Sequence, residues 1–228
     1  MDGMIIAMLW DFDGVVVLTP HEEAWRLAAA KYGIDNFTSE FYYKFVAGRP
    51  RFEGARAILE HFGLLDKLDD ISRDRLIESF AEEKNRIFNE LISRGLFSVN
   101  HEALEFIART RILTTTKFVH VLASASKNAA RLSRSIKVGG RMLYEFFDID
   151  VSGSSTSKKG VFATGRDAVE SADCFIAIDD APSGIEAARE LGLIPIGFQN
   201  KDLVGYGARL VIERFRDLDP GVLINLCR

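Results

Sequence analysis

The chain has 228 residues, 47% of them hydrophobic, enough to bury a large core, or one core plus a small satellite domain, without metal or disulfide staples. The formal net charge of −4 leaves no basic excess, which argues against a nucleic-acid partner. The two cysteines, Cys174 in an apolar run and Cys227 beside the end, suit neither a disulfide framework nor a zinc site, so a reducing, cytoplasmic setting is expected.

The first element is the apolar run Met4 to Trp10. No basic region precedes it, it is too short to cross a bilayer, and it runs straight into Asp11-Phe12-Asp13-Gly14, so it reads as a buried strand and no membrane association is expected. From about residue 18 to residue 99 the pattern is helical: His21 to Tyr32 closed by Gly33, Ser39 to Ala47 closed by Gly48, Phe52 to Phe62 closed by Gly63, and Ser72 to Arg94 closed by Gly95. In the longest of these, Leu76, Phe80, Ile87, Phe88 and Leu91 share one side, and Lys84 interrupts the stripe. That lysine either faces an anionic group or snorkels to the edge of the stripe. Further apolar runs follow at Phe118 to Ala123, Cys174 to Ile178, Ile194 to Phe198 and Leu210 to Ile212, mostly separated by helix-like segments. Continuous apolarity indicates strands buried on both faces, hence a parallel α/β sheet. The predicted organisation is a core formed by residues 1–17 and 99–228, with a helical module, 18–98, inserted after the first strand.

In open α/β sheets ligands bind beyond the carboxyl ends of the strands. Three runs end in polar clusters: Asp11-Phe12-Asp13-Gly14, Ser124-Ala125-Ser126-Lys127-Asn128 and Asp179-Asp180. Carboxylates two apart leave a strand end on one side, and Gly14 allows a sharp turn after them, so one site is able to gather Asp11, Asp13, Asp179 and Asp180. Close carboxylate pairs repel by roughly 3–4 kcal/mol at an effective dielectric of about 20, so a positive group must sit among them. An all-oxygen set suits Mg²⁺ better than zinc, and His21, His61, His101 and His120 have no ligand-like spacing. Each motif alone has a plain structural reading: an Asp-Gly turn, a cap on the helix after Asp180, a small polar residue at a strand end. Their joint placement is what points to a site. The serine-rich stretch Gly153 to Gly160, which contains Lys158, lacks the Gly-Lys-Ser/Thr ending of a phosphate-binding loop, so no nucleotide site is expected.

Together Asp11-Phe-Asp-Gly-Val-Val16, Leu122-Ala-Ser-Ala-Ser-Lys-Asn128, Lys158 and Ile178-Asp-Asp-Ala-Pro-Ser-Gly-Ile-Glu-Ala-Ala188 resemble the four motifs of the haloacid-dehalogenase-like superfamily, and within it the β-phosphoglucomutase-like phosphatases and mutases. The resemblance spans almost the whole chain. It implies a Rossmann-like parallel-sheet core with an inserted all-helical cap, with Asp11 as nucleophile and Asp13 as acid/base. It further implies that Ser124 and Lys158 hold phosphoryl oxygens, and that Mg²⁺ is bound by Asp11, the Asp13 carbonyl, Asp179 and Asp180. Substrate positions carried over in the same way are His21, Arg51, Lys84, Ser126, Lys127 and Asn128, a set suited to a phosphosugar. The second aspartate argues against dehalogenation, since a carbon–halogen bond needs no acid for its leaving group. Two departures stand out: the stretch between Asp13 and His21 is two residues shorter than usual and lacks the usual acid, and Lys159-Gly160 replaces the usual prolines, which makes Lys159 a candidate substitute for Lys158. The function expected is a Mg²⁺-dependent phosphatase of a small phosphorylated metabolite, sugar phosphates first, with a phosphosugar mutase as the alternative. A non-enzymatic phospho-acceptor domain is a remote third reading, since such domains need no cap. A monomer or weak dimer, with a small phosphorylated substrate as its partner, completes the expectation.

Overall fold

The run Met4–Trp10 carries no charged side chain and forms strand β1, fully buried from Ile6 to Trp10. The structure is a computed structural model and describes residues 3–228. A short strand, β2 (Val17–Leu18), leads into four helices, α1 (His21–Lys31), α2 (Ser39–Phe45), α3 (Arg51–His61) and α4 (Asp70–Ser93). The chain then continues through β3 (Ser98–Val99), α5 (His101–Arg111), β4 (Thr116–Leu122), α6 (Lys127–Ser133), a small hairpin of β5 (Lys137–Val138) and β6 (Arg141–Met142), and β7 (Ile149–Asp150). The last third comprises α7 (Lys158–Asp167), β8 (Cys174–Asp179), α8 (Pro182–Glu190), β9 (Ile194–Phe198), β10 (Leu210–Ile212) and α9 (Pro220–Leu226).

Six strands form one sheet in the order β10-β9-β8-β1-β4-β7, all paired in parallel. The chain runs from β1 outward through β4 to β7, then crosses back to β8 on the other side of β1. The strand order therefore reverses at the β1–β8 boundary, which is where such sheets open a crevice at their carboxyl ends. The chain divides into two compact units, Met1–Leu18 with Val99–Arg228, and Thr19–Ser98. The first is an α/β core of the Rossmann-like type and the second is all-helical apart from its last residue, an inserted cap.

In the first unit one sheet face packs Ala7, Leu9 and Val121 against Val161, Phe162 and Ala188 of α7 and α8. The opposite face carries rings: Trp10 lies 5.2 Å from Phe215 and 6.2 Å from Phe106, between centroids. In the second unit α4 packs on α1 and α3, with Phe80 against Trp25 at 5.6 Å and Tyr32 at 5.0 Å. Asp69 caps α4 by accepting the Ser72 N–H at 2.8 Å, worth about 1 kcal/mol.

The ringed face contains one polar chain. The Trp10 indole N–H donates to Nδ1 of His120 at 3.1 Å. Because an indole only donates, Nδ1 is the acceptor and Nε2 carries the proton, which it donates to Thr110 Oγ1 at 2.8 Å. Burial lowers the His120 pKa from 6.5 to about 3, with Arg111 adding to it and Asp148 opposing. A depressed histidine contributes stability that is complete above its unfolded pKa and is lost as pH falls toward the folded one. Chemical denaturation should therefore show this contribution draining away from about pH 6.5 down to about 3, by about 1.4 kcal/mol per pH unit at most. A His120→Gln variant, compared with the parent across that window, should have the flatter profile; parallel profiles would refute the assignment.

Two expectations are corrected here. The sheet has a sixth strand, β7, too short to leave an apolar run in the sequence; it pairs through Val121↔Ile149 and Leu122↔Asp150. Cys174 and Cys227 are joined in a disulfide, their Cα atoms 5.8 Å apart. A separation of 53 residues conceals this in the sequence, because only the return of α9 to the start of β8 brings the thiols together. Cysteine usage thus gives no ground for a reducing compartment. Among the described residues no helix is long and apolar enough to cross a membrane.

Candidate active site

The site is built at the strand-order reversal. Register Trp10↔Ile178 brings the ends of β1 and β8 level, and the Asp11 N–H donates to the Ile178 carbonyl at 3.0 Å. Asp11, Asp179 and Asp180 each place a carboxylate oxygen within 4.8 Å of the others. Lys158 opens α7, a helix capped by Ser157 through the Gly160 N–H at 3.1 Å. Its ammonium lies 2.5 Å from Asp11 Oδ2 and 2.7 Å from Asp179 Oδ2. Lys159 turns to the exposed Glu190, at 2.8 Å, so Lys158 is the lysine that reaches the acids.

Two glycines make room for the carboxylates. Gly14 has φ +87° and lies so close that a Cβ would sit 2.1 Å from Asp180 Oδ2. Gly184, in the first turn of α8, backs onto Asp179, where a Cβ would fall 2.0 Å from its Cγ. Asp179 is held further by the Ala181 N–H, which donates to Oδ1 at 2.9 Å. Gly14 is marked in the sequence by the turn after Asp13, whereas Gly184 carries no such mark. Its only signal is a glycine in the Ala-Pro-Ser-Gly turn after the paired acids, and its role appears once Asp179 is seen against it.

Burial pushes the Asp11 carboxyl well above the usual range; Lys158 pulls it down, while Asp179, Asp180 and Asp13 add to the rise. Burial, then Asp179, raises Asp180 to about 7. Burial acts to lower the Lys158 pKa, but Asp11 and Asp179 outweigh it and hold the ammonium above its ordinary value. One cation is thus too little for the acids around it. Asp11 Oδ1, moreover, is buried with no hydrogen-bond partner. An orphaned carboxylate oxygen inside an all-oxygen cluster fits a hard divalent cation such as Mg²⁺.

Ser124 follows β4 and is 2% exposed. Its Oγ accepts the Ser126 N–H at 3.2 Å, and its carbonyl accepts the Gly153 N–H at 2.8 Å. Ser126 in turn caps α6 through the Ala129 N–H, with Lys127 exposed and Asn128 half-buried in the first turn. Asp13 is half-buried and bridges to Val17. His21, Arg51 and Lys84 all lie in the second unit. Arg51 pairs with Glu82 at 2.9 Å and lies over the Phe52 ring. Lys84 does not snorkel: it is 4% exposed, bonded to His21 Nδ1 at 2.6 Å, with the ammonium 5.0 Å from the Trp25 ring and 4.9 Å from that of Phe88. His21 stacks on Phe88 at 4.3 Å. The helix stripe holds Lys84 beside Phe88, but the His21 imidazole and the Trp25 ring that complete its surroundings come from α1.

No protein-family model matches the chain. Among solved structures it is similar to the archaeal β-phosphoglucomutase from the hyperthermophilic Pyrococcus sp. strain ST 04, at 40% identity and a TM-score of 0.83 over 97% of this chain and 98% of that one. A curated relative, the β-phosphoglucomutase of Bacillus subtilis (strain 168), is 27% identical over 218 residues, 93% of this chain and 91% of that protein. The β-phosphoglucomutase of Clostridium difficile shares the fold, with a TM-score of 0.73 at 24% identity over 98% of this chain and 97% of that one.

Proposed function

Because the chain belongs to the haloacid-dehalogenase-like superfamily, in its β-phosphoglucomutase-like subgroup, we propose that it is a Mg²⁺-dependent phosphatase acting on a sugar phosphate through an aspartyl phosphate. The observation that carries this reading is the convergence of Asp11, Asp179 and Asp180 on the Lys158 ammonium at one strand-end crevice. The relatives are enzymes, so the phospho-acceptor reading is set aside.

Asp11 attacks phosphorus in line: an oxygen–phosphorus bond to Asp11 forms as the bond to the sugar oxygen breaks, and Asp13 in its acid form protonates that leaving oxygen. Asp13 then takes a proton from water, whose attack on phosphorus releases inorganic phosphate and restores the Asp11 carboxylate. A carboxylate nucleophile divides one difficult step into two easier ones, and a positioned acid/base contributes about 10²–10⁴-fold. Ser124 Oγ accepts the Ser126 N–H, which leaves its own O–H to donate to a phosphoryl oxygen. Lys158 supplies positive charge beside the nucleophile. When bound, Mg²⁺ supplies further charge to the transferring oxygens, and Asp11, the Asp13 carbonyl, Asp179 and Asp180 would hold it. His21, Arg51, Lys84, Ser126, Lys127 and Asn128 are assigned to the part of the substrate that does not react.

Similarity over nearly the full chain to β-phosphoglucomutases favours a second reading, in which the phosphoryl group returns to a bound sugar phosphate instead of water. Incubation with β-glucose 1-phosphate and other sugar phosphates, with and without a bisphosphate primer and with and without Mg²⁺, separates the two. Steady Mg²⁺-dependent phosphate release is the expected result. Glucose 6-phosphate formed with little free phosphate would select the mutase, and turnover that survives chelation would exclude both.

A further inference from the structure

The segment from Arg214 to Cys227 is fastened in an uneven way. Up to Leu218 the anchors are non-covalent: Phe215 is fully buried, Arg109 donates to the carbonyls of Phe215 at 2.7 Å and Leu218 at 3.4 Å, and Glu102 pairs with Arg214 and Arg216. Beyond Leu218 comes α9, seven residues with Leu223 as its buried side chain and Val222 43% exposed. Asp219 caps its start, accepting the Gly221 N–H at 2.8 Å. A helix of two turns, with Leu223 buried and Ile224 and Leu226 half-buried, does not persist by its own propensity. What closes the segment is the bond from Cys227, half-buried, to Cys174.

The other end of that bond is secured independently. Asp173, just before Cys174, donates its N–H to the Ile5 carbonyl at 2.9 Å and accepts the Ile5 N–H on Oδ2 at 2.8 Å. Cys174 itself stands in register with Ile6. At the far end of β8, Asp179 is fixed by Ala181 and Lys158. The start of β8 is therefore held without Cys227, whereas α9 has Cys174 as its covalent anchor.

We propose that Cys174–Cys227 is a thiol-sensitive clasp on the C-terminal helix: oxidised, it docks α9; reduced, it releases residues 220–228 and leaves the sheet and its acidic strand ends in place. In the reduction a dithiol supplies two electrons and two protons, the sulfur–sulfur bond breaks, two thiols form, and the reductant closes to its own disulfide. The clasp sets how long α9 stays docked, not the geometry of the acids. It rests on no part of the functional reading above.

The test is amide hydrogen exchange on the whole protein purified without reductant, before and after dithiothreitol, with thiol trapping and mass measurement to count free cysteines. No free thiols before treatment, two after it, and exchange of the amides of residues 221–226 at least about tenfold faster with Cys174–Asp179 unchanged are the expected results. Cys227→Ser should reproduce the reduced pattern without reductant. Two free thiols in the untreated protein, a bond that resists dithiothreitol in the folded state, unaltered protection of α9, or loss of protection in β8 would each overturn the proposal.

Discussion

Replacing Asp11 by asparagine is expected to abolish phosphoryl transfer, lowering kcat by on the order of 10⁴-fold or more, because an amide oxygen is no longer an anionic nucleophile while the side-chain shape is kept. The same change should not destabilise the chelated protein. The Asp11 carboxyl is pushed upward chiefly by burial, with three neighbouring aspartates adding to it, so a neutral group there relieves repulsion as it gives up the Lys158 contact. Initial-rate assays with a sugar phosphate, intact-mass detection of a phosphorylated enzyme, and thermal melts in chelator test both halves. An Asp11→Asn protein that still accumulates the phosphorylated form would remove Asp11 from its role.

Lys158→Met is expected to have the second largest effect, and on two quantities at once. Activity should fall by about 10²–10³-fold through the loss of a fixed charge at the transferring group. Stability in chelator should fall by about 3–5 kcal/mol, the usual cost of removing one partner from a buried ion pair, because the ammonium serves both Asp11 and Asp179. The pH dependence has a definite sign. Losing Lys158 removes an interaction that lowers the Asp11 and Asp180 pKa values, so those folded-state values rise further. An acid raised on folding loses its stabilising contribution as pH climbs through the folded value, so the deficit should be larger at pH 8 than at pH 5. Urea titrations of parent and variant at both pH values check this; an equal deficit at each would show that the lysine does not interact with ionised acids there.

These expectations depend on contacts that the sequence exposes unequally. Met4–Trp10 and Ile194–Phe198 were readable to the residue as strands because burial on both faces forces uninterrupted runs without charged side chains, and Leu210–Ile212 matches its strand although Leu210 and Val211 are half-buried. The β7 strand was not, because two residues carry no period. Asp11 and Asp179 were legible as candidates since each ends an apolar run. Asp180 was legible with them as the second of the paired acids, but how close it comes, and that Lys158 rather than Lys159 reaches the cluster, depends on the rotation of the first turn of α7 and on the space left by Gly14 and Gly184.

What the sequence settled by itself is what local patterning encodes: a parallel α/β core interrupted by a helical insertion, and polar residues delivered at strand ends. The pairing of Cys174 with Cys227, the burial of Lys84 between His21 and two rings, and the neutral His120 beneath Trp10 were decided only by tertiary structure. The reason is one of range. Periodicity reports which way a side chain faces along its own element, whereas a disulfide, a buried cation or a shifted pKa depends on the second element that arrives opposite, tens of residues away in the chain.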